Sequence, residues 1–143
     1  MKSFGGLTFG VTTTEAELFF GPPEETEKLE AIDGSVSLVW HYWRKGFTLF
    51  FDQDDGGRFT CVEVDNTVKL SLWDRPVFEL NEAQLKKLFL AKGFSVVDEE
   101  RQEWGEKRIS FDDAMVDFYF ENDKIVSINF GVVMADMLVI YPN

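Results

Sequence analysis

The chain meets itself when it is slid along by 69 residues. FGVTTTEAELFFG from Phe9 then faces FELNEAQLKKLFL from Phe78, and FTLFFD from Phe47 faces VDFYFE from Val116. The offset holds without a gap from the pair Phe9/Phe78 to the pair Phe51/Phe120. Beyond it, deleting three residues brings RFTCVEV onto KIVSINF. Self-similarity at a fixed period constrains a fold strongly, because each copy must adopt the same supersecondary unit. Identity between the copies is low, so what they share is pattern.

That pattern has physical content. Thr12 precedes a helical segment and Glu15 lies three residues on; Asn81 and Gln84 hold the same two places in the second copy. Both pairs fit a capping box, in which the cap side chain accepts from an otherwise orphaned N–H. Behind the caps, Ala16, Phe19 and Phe20 correspond to Leu85, Leu88 and Phe89, the spacing of one apolar helix stripe. Gly21-Pro22-Pro23 stops the first helix and Gly93 the second. Strand-like runs follow at 24–31, 36–44, 47–52 and 58–64, and again at 94–100, 106–113, 116–121 and 125–130. Asp33-Gly34 and Lys45-Gly46 are turn signals between them. The expected fold is α+β: two tandem helix-plus-antiparallel-meander repeats forming one continuous sheet with the helices on one face. Residues 7–66 and 76–131 are the two units of a single domain spanning 1–143. Residues 67–75 connect them, and the alternation in NTVKLSLWDRP suggests a further strand there. Residues 132–143 read as a C-terminal strand.

Composition narrows the function. With 45% hydrophobic and 15% aromatic residues, the chain can build a core rather than stay disordered. Its 26 acids against 14 bases give a net charge of −12. Phosphate binding needs clustered Lys and Arg, so nucleic acid is disfavoured, as is an anionic membrane surface. A basic protein partner is compatible. Cys61 is the single cysteine, which excludes an intrachain disulfide and fits a reducing compartment. MKSFGGLTFGV has no apolar run of signal-peptide length, and GVVMADMLVIY is broken by Asp136. The expected location is cytoplasmic.

DQDDGGRFTCVE, residues 52–63, matches a helix–loop–helix calcium loop. Asp52, Asp54 and Gly56 fall at positions one, three and five, Gly57 at the sharp turn and Glu63 at position twelve. The flanking HYWRKGFTLFF and FTCVEV are strand-like, and the second copy has the shorter ENDK in the same place. The segment therefore reads as a lengthened hairpin loop, and no metal or other cofactor is expected.

A two-residue turn at Lys45-Gly46 would pair Tyr42 with Leu49 and Trp40 with Phe51 on the core side. The other side would then carry His41 with Phe50, Trp43 with Thr48 and Val39 with Asp52. In the second copy Phe111, Ile109, Phe118 and Phe120 point inward. Arg108 pairs with Glu121 outside, and Asp112 and Asp117 are close like charges. For 58–64 the pattern does not settle which side faces the core. The candidate partner-binding residues are His41, Trp43, Phe50, Asp112, Asp117 and Tyr119. Trp43 and Tyr119 are the anchors, because Trp and Tyr are enriched at binding hot spots, and Asp112 and Asp117 steer a basic partner. His41, the one histidine, would have to serve any Ser–His or Cys–His pair, with Cys61 or Ser110 as nucleophile. No oxyanion-hole motif or phosphate loop accompanies it, so no enzyme is expected.

FGVTTTEAELFFGPP followed by Trp40-His41-Tyr42 resembles the outer-membrane assembly lipoproteins of the SmpA/OmlA type. Their pattern runs glycine, hydrophobic, Thr or Ser, a short helix, Leu-Gly-x-Pro, then Trp-x-Tyr in a strand. In tandem, the unit resembles the β-lactamase inhibitor protein family. That resemblance implies one sheet backed by helices, and binding through the open sheet face with aromatic and acidic residues. Phe20 stands where the pattern has Leu, the second copy lacks Gly-x-Pro, and there is neither a lipobox cysteine nor a disulfide pair. The expected function is a non-catalytic protein-binding module, an intracellular immunity or inhibitor protein for a basic partner. The alternative is a small-molecule or lipid-binding domain with the aromatic face as its pocket.

Overall fold

Two helices and three antiparallel sheets make up the computed structural model of this α+β chain, which describes residues 3–4, 6–53, 56–95, 97–101, 105–131 and 138–140. The strands are β1 (Ser3–Phe4), β2 (Leu7–Thr8), β3 (Glu25–Glu30), β4 (Val36–Tyr42), β5 (Phe47–Asp52), β6 (Arg58–Asp65), β7 (Leu70–Leu72), β8 (Arg75–Pro76), β9 (Val97–Arg101), β10 (Glu106–Phe111), β11 (Val116–Glu121), β12 (Lys124–Gly131) and β13 (Leu138–Ile140). Helix α1 is Thr13–Phe20 and α2 is Glu82–Ala91. Eight strands form the main sheet in the order β3-β4-β5-β6-β12-β11-β10-β9. β13-β7-β8 and β1-β2 make the two small sheets. No helix is long and apolar enough to cross a membrane among the described residues.

Both helices start where the caps require. Asn81 Oδ1 accepts from Gln84 N at 2.9 Å while Gln84 Oε1 accepts from Asn81 N at 3.0 Å, a complete capping box. At α1 only half of the box forms: Thr12 Oγ1 accepts from Glu15 N at 3.4 Å and donates to Glu15 Oε1 at 3.3 Å. α1 ends at Gly21, whose carbonyl accepts from Tyr42 Oη at 2.9 Å, tying the helix end to β4.

One face of the main sheet is the core. Leu49, Phe51, Phe59, Val62 and Val64 lie on it from one half, and Ile109, Phe111, Phe118, Ile128 and Phe130 from the other. Both helices rest there. The Phe20 ring centroid of α1 is 4.9 Å from Phe47, and that of Phe89 of α2 is 4.0 Å from Phe111 in a stacked pair. Phe4 of β1 adds an edge contact to Phe47, and Leu70 and Leu72 of β7 join the same cluster. Lys86 and Lys107, each bridging Glu82 and Glu99 at 2.7–3.3 Å, pin the start of α2 to β9 and β10. The expected helix stripe holds for Ala16, Leu85 and Phe89, which are buried, but Phe19 is 52% exposed.

The strand registers differ from the expected ones by two residues. Trp43–Lys45 forms a 3-10 turn closed by Gly46 at φ 80°, so the connection is longer than a two-residue hairpin. Tyr42 therefore pairs with Phe47, Trp40 with Leu49, His41 with Thr48 and Val39 with Phe50. In the other half, Asp112–Ala114 is a 3-10 turn closed by Met115 at φ 55°, and Arg108 pairs with Tyr119 rather than Glu121. A slip of two keeps the side chains that remain on the strands on their expected faces, because strand side chains alternate with period two, while Trp43 and Asp112 move into the turns. The calcium-like segment is flanked by β5 and β6, with Asp52 and Glu63 on the strands themselves; Asp54 lies outside the described residues.

Phe89→Ala removes a ring that stacks on Phe111 and meets Phe118 at 5.5 Å. Chemical denaturation should show a loss of about 3–5 kcal/mol. Leu18→Ala, at a side chain 84% exposed, should stay within about 0.5 kcal/mol of wild type.

Candidate functional site

The sheet face opposite the helices carries one polar row that crosses all eight strands. Cross-strand partners run Glu25, His41, Thr48, Glu63, Asn129, Asp117, Ser110 and Asp98. Each is opposite the next because the registers line up at this level of the sheet. On one side the row is bordered by Glu27, Val39, Phe50, Cys61 and Gly131. On the other it is bordered by Asp65, Ser127, Tyr119, Arg108 and Glu100.

At the β4 end, His41 is held on three sides. Its Nδ1 lies 3.0 Å from Thr48 Oγ1, its Nε2 lies 3.4 Å from Glu27 Oε2, and Trp43 stacks on the ring at 5.2 Å. Ligand atoms of Glu25, Glu27 and His41 lie within 4.8 Å of one another, so this group among the described residues could hold a metal ion. At the β10 end, Arg108 is saturated with acids. Its Nη2 lies 3.1 Å from Asp98 Oδ2 and 3.2 Å from Glu100 Oε2, and its Nη1 lies 4.0 Å from Asp117 Oδ1. Ser110, buried, bonds both Arg108 and Asp117.

The centre of the face is partly dry. Burial raises the Glu63 carboxyl above its usual value, against a hydrogen bond from Ser127 that lowers it; Glu106 and Asp65 push it up further. Burial, then Asp117 and Glu63, pushes the Cys61 thiol up to about 12, and its Sγ lies 2.5 Å from Asn129 Oδ1. Such a thiol is protonated at neutral pH and is a poor nucleophile. Burial also raises Tyr119, ahead of the charges of Asp117 and Glu63.

His41, Phe50, Asp117 and Tyr119 lie on this face. Trp43 sits in the 3-10 turn beside it, 57% exposed, rather than on the strand opposite Thr48. Asp112 also sits in a 3-10 turn, and Asp117 faces Ser110, so the expected close pair of Asp112 and Asp117 does not form. Glu63, Thr48, Ser127 and Asn129 complete the face, and the sequence pattern does not single them out. Alternation alone could not orient β6, because a bulge shifts its register between Phe50 and Phe51 of β5. Phe59 and Val62 both point to the core, three residues apart.

No family model, no curated protein and no solved structure matches the chain.

A raised folded-state value means that Glu63 ionises more easily in the unfolded chain. Its contribution to stability is whole below the ordinary carboxylate range and is lost as pH rises through the folded value. Glu63→Gln should therefore raise the melting temperature at pH 7, and the gain should vanish near pH 3–4, below the unfolded value of about 4.3. Thermal unfolding of both proteins at the two pH values measures it.

Proposed function

We propose that this chain is a non-catalytic protein-binding module that receives a basic protein partner on the outer face of its main sheet, in the manner of an intracellular immunity or inhibitor protein. The observation that carries the reading is the polar row. Its carboxylates Glu25, Glu63, Asp117 and Asp98, with Glu27, Asp65 and Glu100 beside them, share one arginine, Arg108, already engaged by three acids. Like charges gathered on one face repel each other until a cationic surface arrives, and the same field speeds encounter with that surface. Trp43, half exposed on its turn, and Tyr119, half-buried in the face, are the aromatic anchors.

The same reading takes the chain as two tandem units that resemble those of the β-lactamase inhibitor protein family. In support, β5 and β11 are both six residues long, each follows a 3-10 turn, and each half has a helix capped through its first turn. Two such halves placed edge to edge give a face twice as wide as either, which suits a flat partner surface.

Affinity capture from a cell lysate of the source, at low and high salt, tests the reading. Wild type should retain a basic protein, and raising the salt should weaken retention, since screening shortens electrostatic reach to about 3 Å at 1 M. A folded Trp43→Ala/Tyr119→Ala double variant should lose it. Equal retention by both proteins would remove this face from the function.

A further inference from the structure

We infer that the recess between the 3-10 turn at Trp43–Lys45 and the outer ends of β5 and β6 is a receptor for a single arginine side chain of the partner. This deepens, and rests on, the reading of the outer face as a docking surface for a basic protein.

The recess, open to solvent on one side, offers about 260 Å³. That is below the ~300–1,000 Å³ typical of small-molecule sites and suits one side-chain head group. Trp43 and His41 give it an aromatic wall, stacked on each other with planes 19° apart. Glu63 and Asp65, two residues apart on β6, give it an acidic floor, and no lysine or arginine lines it. Thr48 and Ser127 complete it with hydroxyls.

The two acids are prepared differently. Asp65 Oδ1 accepts from Thr67 N at 2.8 Å and from Thr67 Oγ1 at 2.5 Å, so its carboxylate is fixed in place. Gly46 stands against that group: a Cβ there would come within 2.8 Å of Asp65 Oδ1, and the backbone has φ +80°. A side chain at this position would therefore push on the floor of the recess. Glu63 is partly desolvated, with a hydrogen bond from Ser127 and His41 as its favourable neighbours, and no lysine or arginine pairs with it among the described residues. A carboxylate that has lost part of its water and has no permanent cation beside it is completed by one.

The shape selects among cations. Guanidinium is planar, stacks on an aromatic face and meets a carboxylate with two parallel N–H bonds. Trp43, 57% exposed, offers the face, and Glu63 in the same recess offers the carboxylate. An ammonium group finds the charge but makes less use of the flat wall.

N-acetyl-arginine amide is the probe, titrated into the full chain and followed by NMR at the Trp43 indole N–H and at the Thr48 and Ser127 amides. Saturable shifts confined to these groups are expected, with a Kd on the order of millimolar. N-acetyl-citrulline amide, uncharged and of nearly the same shape, should give none, and the lysine analogue should bind more weakly. Glu63→Gln should raise the Kd by about tenfold or more. Glu30→Gln, at the exposed edge strand, should leave it unchanged. Absence of saturation, equal binding by citrulline, or an unchanged Kd in Glu63→Gln would overturn the inference. Capture of the partner separates the two levels. A partner lost with Trp43→Ala/Tyr119→Ala but fully kept by Glu63→Gln removes the arginine receptor and leaves the docking face. Saturable arginine binding by a wild type that captures nothing keeps the recess as an arginine site and removes its assignment to a protein partner.

Discussion

The seam between β6 and β12 is the interaction on which the rest of the molecule depends. Five residue pairs, from Cys61 opposite Gly131 to Asp65 opposite Ser127, join β3-β4-β5-β6 to β12-β11-β10-β9. Without them each half would be a four-stranded sheet with one more open edge and an uncovered apolar flank. Val62, Val64, Ile128 and Phe130 stand at the seam on the core side, all nearly or fully excluded from water. Burial of that kind contributes about 25 cal/mol for each Å² of apolar surface removed from water, which favours closing the seam over leaving two halves. The other side of the same seam holds Cys61 bonded to Asn129, and Glu63. The polar row crosses the molecule only because the seam aligns the two halves in register.

The outermost strands show how such a wide sheet stays finite. Every residue of β3 and β9 is exposed, and they read Glu-Thr-Glu-Lys-Leu-Glu and Val-Asp-Glu-Glu-Arg. Charge on an edge strand opposes pairing with a second copy of the same edge, since both carry excess acid. The same acids lie at the two ends of the outer-face row, Glu25 at one end and Asp98 at the other. Protection of the edges and acidity of the face are thus one property of the sequence. This is why the net charge of −12 says little about function until the strands are placed.

Much of this architecture is legible in the sequence. Helix starts follow from Thr12 and Asn81, whose side chains have a local task. The runs 47–52 and 116–121 end where the strands end, because turn residues bound them. Side-chain faces survive even where register is misjudged, since the turns at Trp43–Lys45 and Asp112–Ala114 slip the pairing by two. What is not legible lies where two is not the step. The bulge opposite Phe50/Phe51 breaks the alternation of β6, and with it the direction of Glu63 and Cys61. Met115 in the left-handed region is equally silent, because nothing in a methionine announces a turn that glycine makes at 46. Asp112 and Trp43 were displaced from the strands by those same turns. The β6 and β12 residues at the centre of the face are therefore hidden, while His41, Phe50, Asp117 and Tyr119 on β4, β5 and β11 can be read.

The hidden centre is also where stability and binding pull apart. Arg108 meets three acids and the Glu82–Lys86–Glu99–Lys107 network balances two of each sign, so those carboxylates are matched inside the chain. Glu63 is not matched in that way, and burial works against its charge. A glutamine there would satisfy Ser127 and spare the fold a desolvated anion. Residues that cost stability without helping the fold concentrate at sites whose reward comes from a ligand. The contrast between ion-paired acids at the β10 end and Glu63, which has no lysine or arginine partner in the recess it shares with Trp43, gives the face a polarity. On the proposed reading, charge complementarity would act over the whole surface, and the recess that holds Glu63 and Trp43 is where a partner's cation would gain most.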